Sequence, residues 1–196
     1  MDVNDNEKDI ICWNQFKYGE EDAFGDIFKK YYPGLFNYGC RITNDTTLVE
    51  DCIQELFLEI WRTKGKAEII SLKAYIFKAF KFKLVKLIAK NNKTMALPQA
   101  YTEQAFEISQ DMLMINNELD AGKSKMLLDA INNLSPRQKE IIYLKFYLNL
   151  GYEEVSDMME INYLATRNLI YKAIKELRKA IPPGLALVLF YTCLKK

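Results

Sequence analysis

The chain of 196 residues contains no histidine. That removes the commonest general base near neutral pH, the commonest metal ligand and most catalytic triads. Cysteine occurs four times, as Cys12, Cys40, Cys52 and Cys193, without the spacing of a metal site or a redox pair. These read as reduced, buried thiols of a cytoplasmic protein. Glycine and proline are scarce, 8 and 5, and that shortage favours helices. No glycine-rich phosphate loop is visible. The longest apolar run, Leu185–Leu194, is about half of what a membrane-spanning helix needs, so no membrane insertion is expected. The opening Met1-Asp2-Val3-Asn4-Asp5 is acidic, unlike the basic start of a secretion signal. An enzyme is therefore poorly supported, and no cofactor, metal or small-molecule substrate is expected.

What is present begins with apolar side chains, 49% of the total, enough for a buried core. Net charge is only +1, but its distribution is uneven. Residues 1–70 carry a net −6, whereas residues 71–95 hold seven lysines and no acid. Such blocks can offer one face to a protein and another to a phosphate backbone.

Apolar periodicity and helix punctuation divide the chain. A first helix is predicted over residues 6–18, ended by Gly19. A second covers 20–43, kinked or broken at Pro33. Thr47 and Glu50 fit a capping box for a helix reaching Arg62. Ser71 can cap another from Leu72 to Lys90. Residues 96–123 lack a sustained apolar stripe and read as a linker. Beyond it, Lys125–Leu134 is amphipathic. Ser135-Pro136-Arg137-Gln138 is a strong helix start, with Ser at the cap and Pro at the first helical position. That helix should reach Leu148. Tyr152–Met159, a turn at Glu160-Ile161-Asn162, and Tyr163–Ala180 complete the pattern. The expected fold is all-α: two small helical domains, residues 1–95 and 124–196, joined by a linker at 96–123.

Three helices carry candidate chemistry. On Leu48–Arg62, the rows Leu48, Cys52, Leu56, Ile60 and Val49, Ile53, Phe57, Trp61 make a core-facing stripe. Glu50, Asp51, Gln54, Glu55, Leu58 and Glu59 face away. This side is either a solvated surface or an acidic dock for a basic protein. On Leu72–Lys90, lysines 73, 78, 81, 83, 86 and 90 interleave with Tyr75, Phe77, Phe80 and Phe82. The rings are either core residues under lysine stems or a platform for unpaired bases, with ammonium groups on the phosphates. The last two helices have the form of a helix-turn-helix, or of a plain helical hairpin. In the first case Tyr163, Thr166, Arg167 and Asn168 would lie near base edges. Arg can then pair guanine and Asn adenine, each with two hydrogen bonds. Tyr171, Lys172, Lys175 and Arg178 would follow the backbone.

At these residues the sequence resembles a known family. Ala23-Phe24, Tyr31-Tyr32-Pro33 and the run Val49-Glu50-Asp51-Cys52-Ile53-Gln54-Glu55-Leu56-Phe57-Leu58-Glu59-Ile60-Trp61 look like the first conserved domain of the small bacterial RNA polymerase sigma factors of the extracytoplasmic-function type, in the sigma-70 family. Leu134-Ser135-Pro136-Arg137-Gln138-Lys139-Glu140, Tyr152-Glu153-Glu154-Val155 and Leu177-Arg178 resemble the second. The resemblance implies that Asp51, Gln54 and Glu55 bind core RNA polymerase. It implies that Lys64, Lys66, Lys73, Tyr75, Lys78, Lys81 and Phe82 engage the melted minus-ten element of promoter DNA. Tyr163, Thr166, Arg167, Asn168, Tyr171 and Lys172 would read the minus-thirty-five element. It also implies an anti-sigma factor as a partner. The chain departs from the family at Phe82, where Asn is usual, at Lys86, where Asp is frequent, and at Asn162-Tyr163-Leu164-Ala165, where small or polar residues open the helix. A free-standing helix-turn-helix regulator is the alternative; it would have no use for the acidic face.

Overall fold

Four helices arise from the first 91 residues: α1 (Val3–Lys17), α2 (Glu21–Gly39), α3 (Thr46–Thr63) and α4 (Leu72–Asn91). The computed structural model describes residues 3–63, 67–91, 106–107 and 121–180, and among these every regular element is helical. The chain divides into two compact units, Asp2–Gln104 and Ala105–Lys196.

In the first unit α1 packs on α2 and α4, α3 packs on α2 and α4, and α2 also meets α4. α1 closes at Gly19, whose φ of +101° suits a residue without a side chain. Of the kink or break expected at Pro33, the break does not occur: α2 runs through it to Gly39. The ring removes one backbone donor, but burial of Ile27, Tyr31, Leu35 and Tyr38 on both sides of it holds the helix together. The cap of α3 also differs from the expected Thr47 box. Asp45 is the cap, its Oδ1 accepting from Leu48 N at 3.0 Å. Ser71 caps α4 as expected, accepting from Ala74 N at 3.2 Å.

α2 approaches its neighbours closely at Gly39. A Cβ there would lie 2.6 Å from Val49 Cγ1 and 2.9 Å from Phe80 Cζ. Leu35, Tyr38, Val49, Cys52, Ile53, Leu72, Ile76, Phe80 and Leu84 fill the centre. Asp9, Arg41 and Lys81 are enclosed in the same unit. Asp9 of α1, 6% exposed, accepts from Tyr31 Oη at 2.5 Å and Lys30 Nζ at 2.6 Å, tying α1 to α2. Burial, and then this hydrogen bond to Asp9, push the Tyr31 hydroxyl well above its ordinary pKa.

The second unit holds α5 (Ala121–Asn132), α6 (Pro136–Ile142), α7 (Tyr152–Met159) and α8 (Tyr163–Ala180). Both halves of the expected capping box form at α6: Gln138 N donates to Ser135 Oγ, and Ser135 N to Gln138 Oε1 at 3.0 Å. Beyond Ile142 the helix widens into a π turn over Tyr143–Tyr147 and stops at Leu148. α8 packs across α5, α6 and α7, and Leu127, Ile141, Leu144, Val155, Met158 and Met159 are buried in this unit. Phe106, inside the stretch read as a linker, is buried edge-on against Tyr143, with ring centroids 5.5 Å apart. Lys64, Lys66 and the tail Leu185–Leu194 lie outside the described residues.

Candidate nucleic-acid and protein interfaces

α3 separates its two faces as its periodicity requires. Val49, Cys52, Ile53, Leu56, Phe57 and Ile60 are buried. Asp51, Gln54, Glu55, Leu58 and Glu59 are all exposed along the other side. Burial pushes the Cys52 thiol up to about 12. Trp61, expected on the core row, is 38% exposed at the edge of the unit, its ring against Phe24 and Phe16. The acidic face is not left to solvent alone. Lys83 of α4 reaches Glu59 at 3.1 Å and Glu55 at 3.5 Å. No reading of single helices could find this pair, because its members lie on different elements.

On α4 the two readings of the aromatic and basic residues each hold for part of the set. Phe77 and Phe80 are buried beside Tyr38. Tyr75, Lys78, Phe82 and Lys86 recur at helical spacing along the outer side, the first three half-buried and Lys86 exposed. Tyr75 is braced edge-on by Trp13 of α1, centroids 5.6 Å apart, and burial raises its hydroxyl pKa. Lys73 is half-buried in the first turn. Lys81 departs from its expected place. It is 3% exposed and sits on the core side, so it offers no accessible ammonium to a phosphate in this arrangement. The reason is the width of the buried arc: α4 packs on α1, α2 and α3 together.

In the second unit α7 and α8 form the helix-turn-helix. Glu160 takes φ 52° and ψ 42°, the left-handed conformation that ends α7 and reverses the chain. Ser156 Oγ donates to Ile161 O at 2.5 Å and fixes the turn. Asn162 then caps α8, its Oδ1 accepting from Ala165 N at 2.8 Å. Arg167, Asn168, Tyr171 and Lys172 are exposed, as is Tyr163, whose ring leans on Tyr152. Lys145 Nζ lies 4.6 Å from the centroid of that Tyr152 ring and donates to Leu150 O; burial lowers its pKa. Thr166 is a second departure. It is fully buried, and its hydroxyl donates to Asn162 O at 3.1 Å. Its place is under the helix, where it holds the first turn.

α8 thus buries Thr166, Ile170, Ala173 and Leu177 and turns Arg167, Lys172, Lys175, Arg178 and Lys179 outward. Glu176, its single acid, is paired with Lys179 at 2.9 Å. Leu164 and Lys83 are the additions that sequence reasoning did not assign to a site. Leu164 stood within the departing stretch Asn162–Ala165, and its exposure was the missing signal.

Comparison with known proteins gives two matches along the chain. Residues 27–94 match the pattern of Sigma-70 region 2, and residues 124–177 that of Sigma-70, region 4. The ECF RNA polymerase sigma factor BldN of Streptomyces coelicolor is 25% identical over 84% of this chain, which spans 62% of BldN. The RNA polymerase sigma factor CarQ of Myxococcus xanthus is 24% identical over 85% of this chain and 94% of its own length. Two solved structures share the fold. CnrH, in complex with the cytosolic domain of CnrY, superposes with a TM-score of 0.54 at 16% identity, over 86% of this chain and 94% of that one. The sigma factor RpoE, in complex with the anti-sigma factor NepR from Bartonella quintana, gives 0.56 at 18%, over 80% and 95%. With both regions matched in order across more than half of its length, the chain belongs to the sigma-70 family of RNA polymerase sigma factors, in the extracytoplasmic-function group.

Proposed function

We propose that this chain recruits core RNA polymerase to promoters and helps to open them, with catalysis left to the polymerase. The observation that carries the reading is the pair of unlike surfaces on adjacent helices. α3 turns Asp51, Gln54 and Glu55 outward, an acidic dock for a basic protein helix. Next to it, α4 turns out Tyr75, Lys78, Phe82 and Lys86, rings and cations suited to a single strand. Lys64, Lys66 and Lys73 extend that charge in the sequence. Separately, α8 offers Tyr163, Arg167, Asn168, Tyr171 and Lys172 to the duplex of the minus-thirty-five element. The chain works where the polymerase works, in the cytoplasm. An anti-sigma factor that covers these faces is the expected regulator, as NepR is the partner of RpoE.

The test is Asp51→Lys with Glu55→Lys in the full chain. The residues are one turn apart on an exposed face. Lys83 keeps Glu59 at 3.1 Å, so the change should cost under about 1 kcal/mol of stability. Across a charged interface, reversal should cost several kcal/mol. The expected result is a normal circular dichroism melt and lost co-migration with core polymerase. A variant that melts normally and still binds at wild-type affinity removes α3 from the mechanism. A wild-type chain that binds no core polymerase makes the free-standing regulator the better reading.

A further inference from the structure

The leading turns of α8 carry an apolar cluster that charge-based reading of a duplex does not use. Leu164 is 66% exposed, Tyr171 65% and Tyr163 46%. One exposed leucine needs no explanation. Here, however, large apolar groups share a helix face with Arg167, Lys172, Lys175 and Arg178, all exposed. Leu164, Arg167, Asn168 and Tyr171 are spaced at three, four and seven residues from the first, so they form one stripe. That stripe lies opposite the buried row Thr166, Ile170, Ala173 and Leu177.

The partner of this face must be anionic and must also present an apolar group at the point where Leu164 reaches it. A DNA major groove does both. Its phosphates meet the cations, and the one apolar group it displays on a base edge is the C5 methyl of thymine. The N-terminal turn of a recognition helix is the part that enters the groove. Leu164 is the second residue of α8 and is held there by the Asn162 cap at 2.8 Å. The buried hydroxyl of Thr166 fixes the same turn.

We infer that Leu164 is a specificity-determining residue that selects thymine, through its methyl group, at one position of the upstream promoter element. The inference rests on the reading of α8 as the duplex-reading helix. Arg167 and Asn168 supply polar readout, and Leu164 supplies a hydrophobic readout that they cannot.

The test uses holoenzyme assembled from the full chain and the core polymerase of the bacterium that encodes it. Promoter duplexes randomised over the upstream element are selected for binding, and each selected thymine is then replaced singly by deoxyuridine, which lacks only the methyl. At one position the replacement should weaken wild-type binding about fourfold, the worth of one methyl removed from water. Leu164→Ala should bind thymine and uracil alike at that position. Arg167→Ala should bind more weakly but keep the fourfold ratio. Because Leu164 is exposed, its variant should melt like the parent. An element without a methyl-sensitive thymine, or a ratio that survives Leu164→Ala, overturns the inference while leaving α8 as the reader. Selection of no upstream element at all overturns the reading of α8 and the inference with it.

Discussion

Asp9→Ala should loosen the first unit by more than any surface charge could. Asp9 is 6% exposed and accepts from the Tyr31 hydroxyl and from Lys30. Without it, a hydroxyl on a residue buried between α1 and α2 loses its partner, at about 1–3 kcal/mol. Losing the Lys30 pair adds less than about 1 kcal/mol, because that side chain is 39% exposed and keeps Asp5 at 2.9 Å. The total is about 1–4 kcal/mol. For a unit of this size each kcal/mol moves the midpoint by roughly 4–8 °C, so the melt should fall by roughly 4–30 °C. Tyr31→Phe alone should cost about 1.5 kcal/mol, the worth of a hydrogen bond to a charged group. The decisive comparison is Asp9→Ala in the Tyr31→Phe background. No hydroxyl is left to be orphaned there, so the further loss should drop below about 1 kcal/mol. Calorimetry of the full chain, following the transition of the first unit, reads all four proteins. Strictly additive losses would refute the proposed coupling, as would an Asp9→Ala melt within about 3 °C of the parent.

Gly39→Ala should destabilise the same unit by about 1–3 kcal/mol through overpacking, since the new Cβ meets Val49 and Phe80; adding Val49→Ala should recover part of the loss in a thermal melt. Cys52, buried with its thiol pushed up to about 12, should resist alkylation at mildly alkaline pH until urea opens the core, and rapid labelling of the native chain would displace it from there. Thr166→Val should cost about 1 kcal/mol for its lost hydrogen bond yet leave base preference unchanged in a binding-site selection, because the hydroxyl points to Asn162 O and not outward.

The sequence made legible what local chemistry decides. The box at Ser135 and Gln138 and the cap at Ser71 depend on residues three apart, and both form. The core stripe of α3 is set by one period, and it is buried as read except at its ends, where Leu48 is half-buried and Trp61 exposed. What failed depended on neighbours in space. At Pro33 propensity alone leaves a kink or a break open, and flanking burial carries α2 through it unbroken. Thr47 and Asp45 both suit a helix start, and nothing local decides between them. On α4 a wheel spreads lysines and rings around the whole circumference. Only the three helices packed against it decide that Lys81 turns inward and Phe82 outward. Thr166 and Leu164 are two residues apart on α8. Their burial is opposite because the apolar row that meets α6 passes through the first and not the second.

The pairing of Lys83 with Glu55 and Glu59 bears on how the first unit would face the two partners proposed for it. α3 and α4 are packed side by side, so an acidic face and a lysine-bearing face meet along one seam. Unscreened, each would weaken the other's pull on its partner. Lys83 stands at the seam and engages the two acids nearest to it, at 3.1 and 3.5 Å. Asp51 is one turn earlier on α3, outside this pair. The acidic field is thereby concentrated at the start of the α3 face. On α4, Lys78 and Lys86 stay on the outer side with Tyr75 and Phe82. One internal pair thus lets helices that share a core keep surfaces of opposite sign. It also makes Asp51, more than Glu55, the residue whose charge a basic partner would feel first.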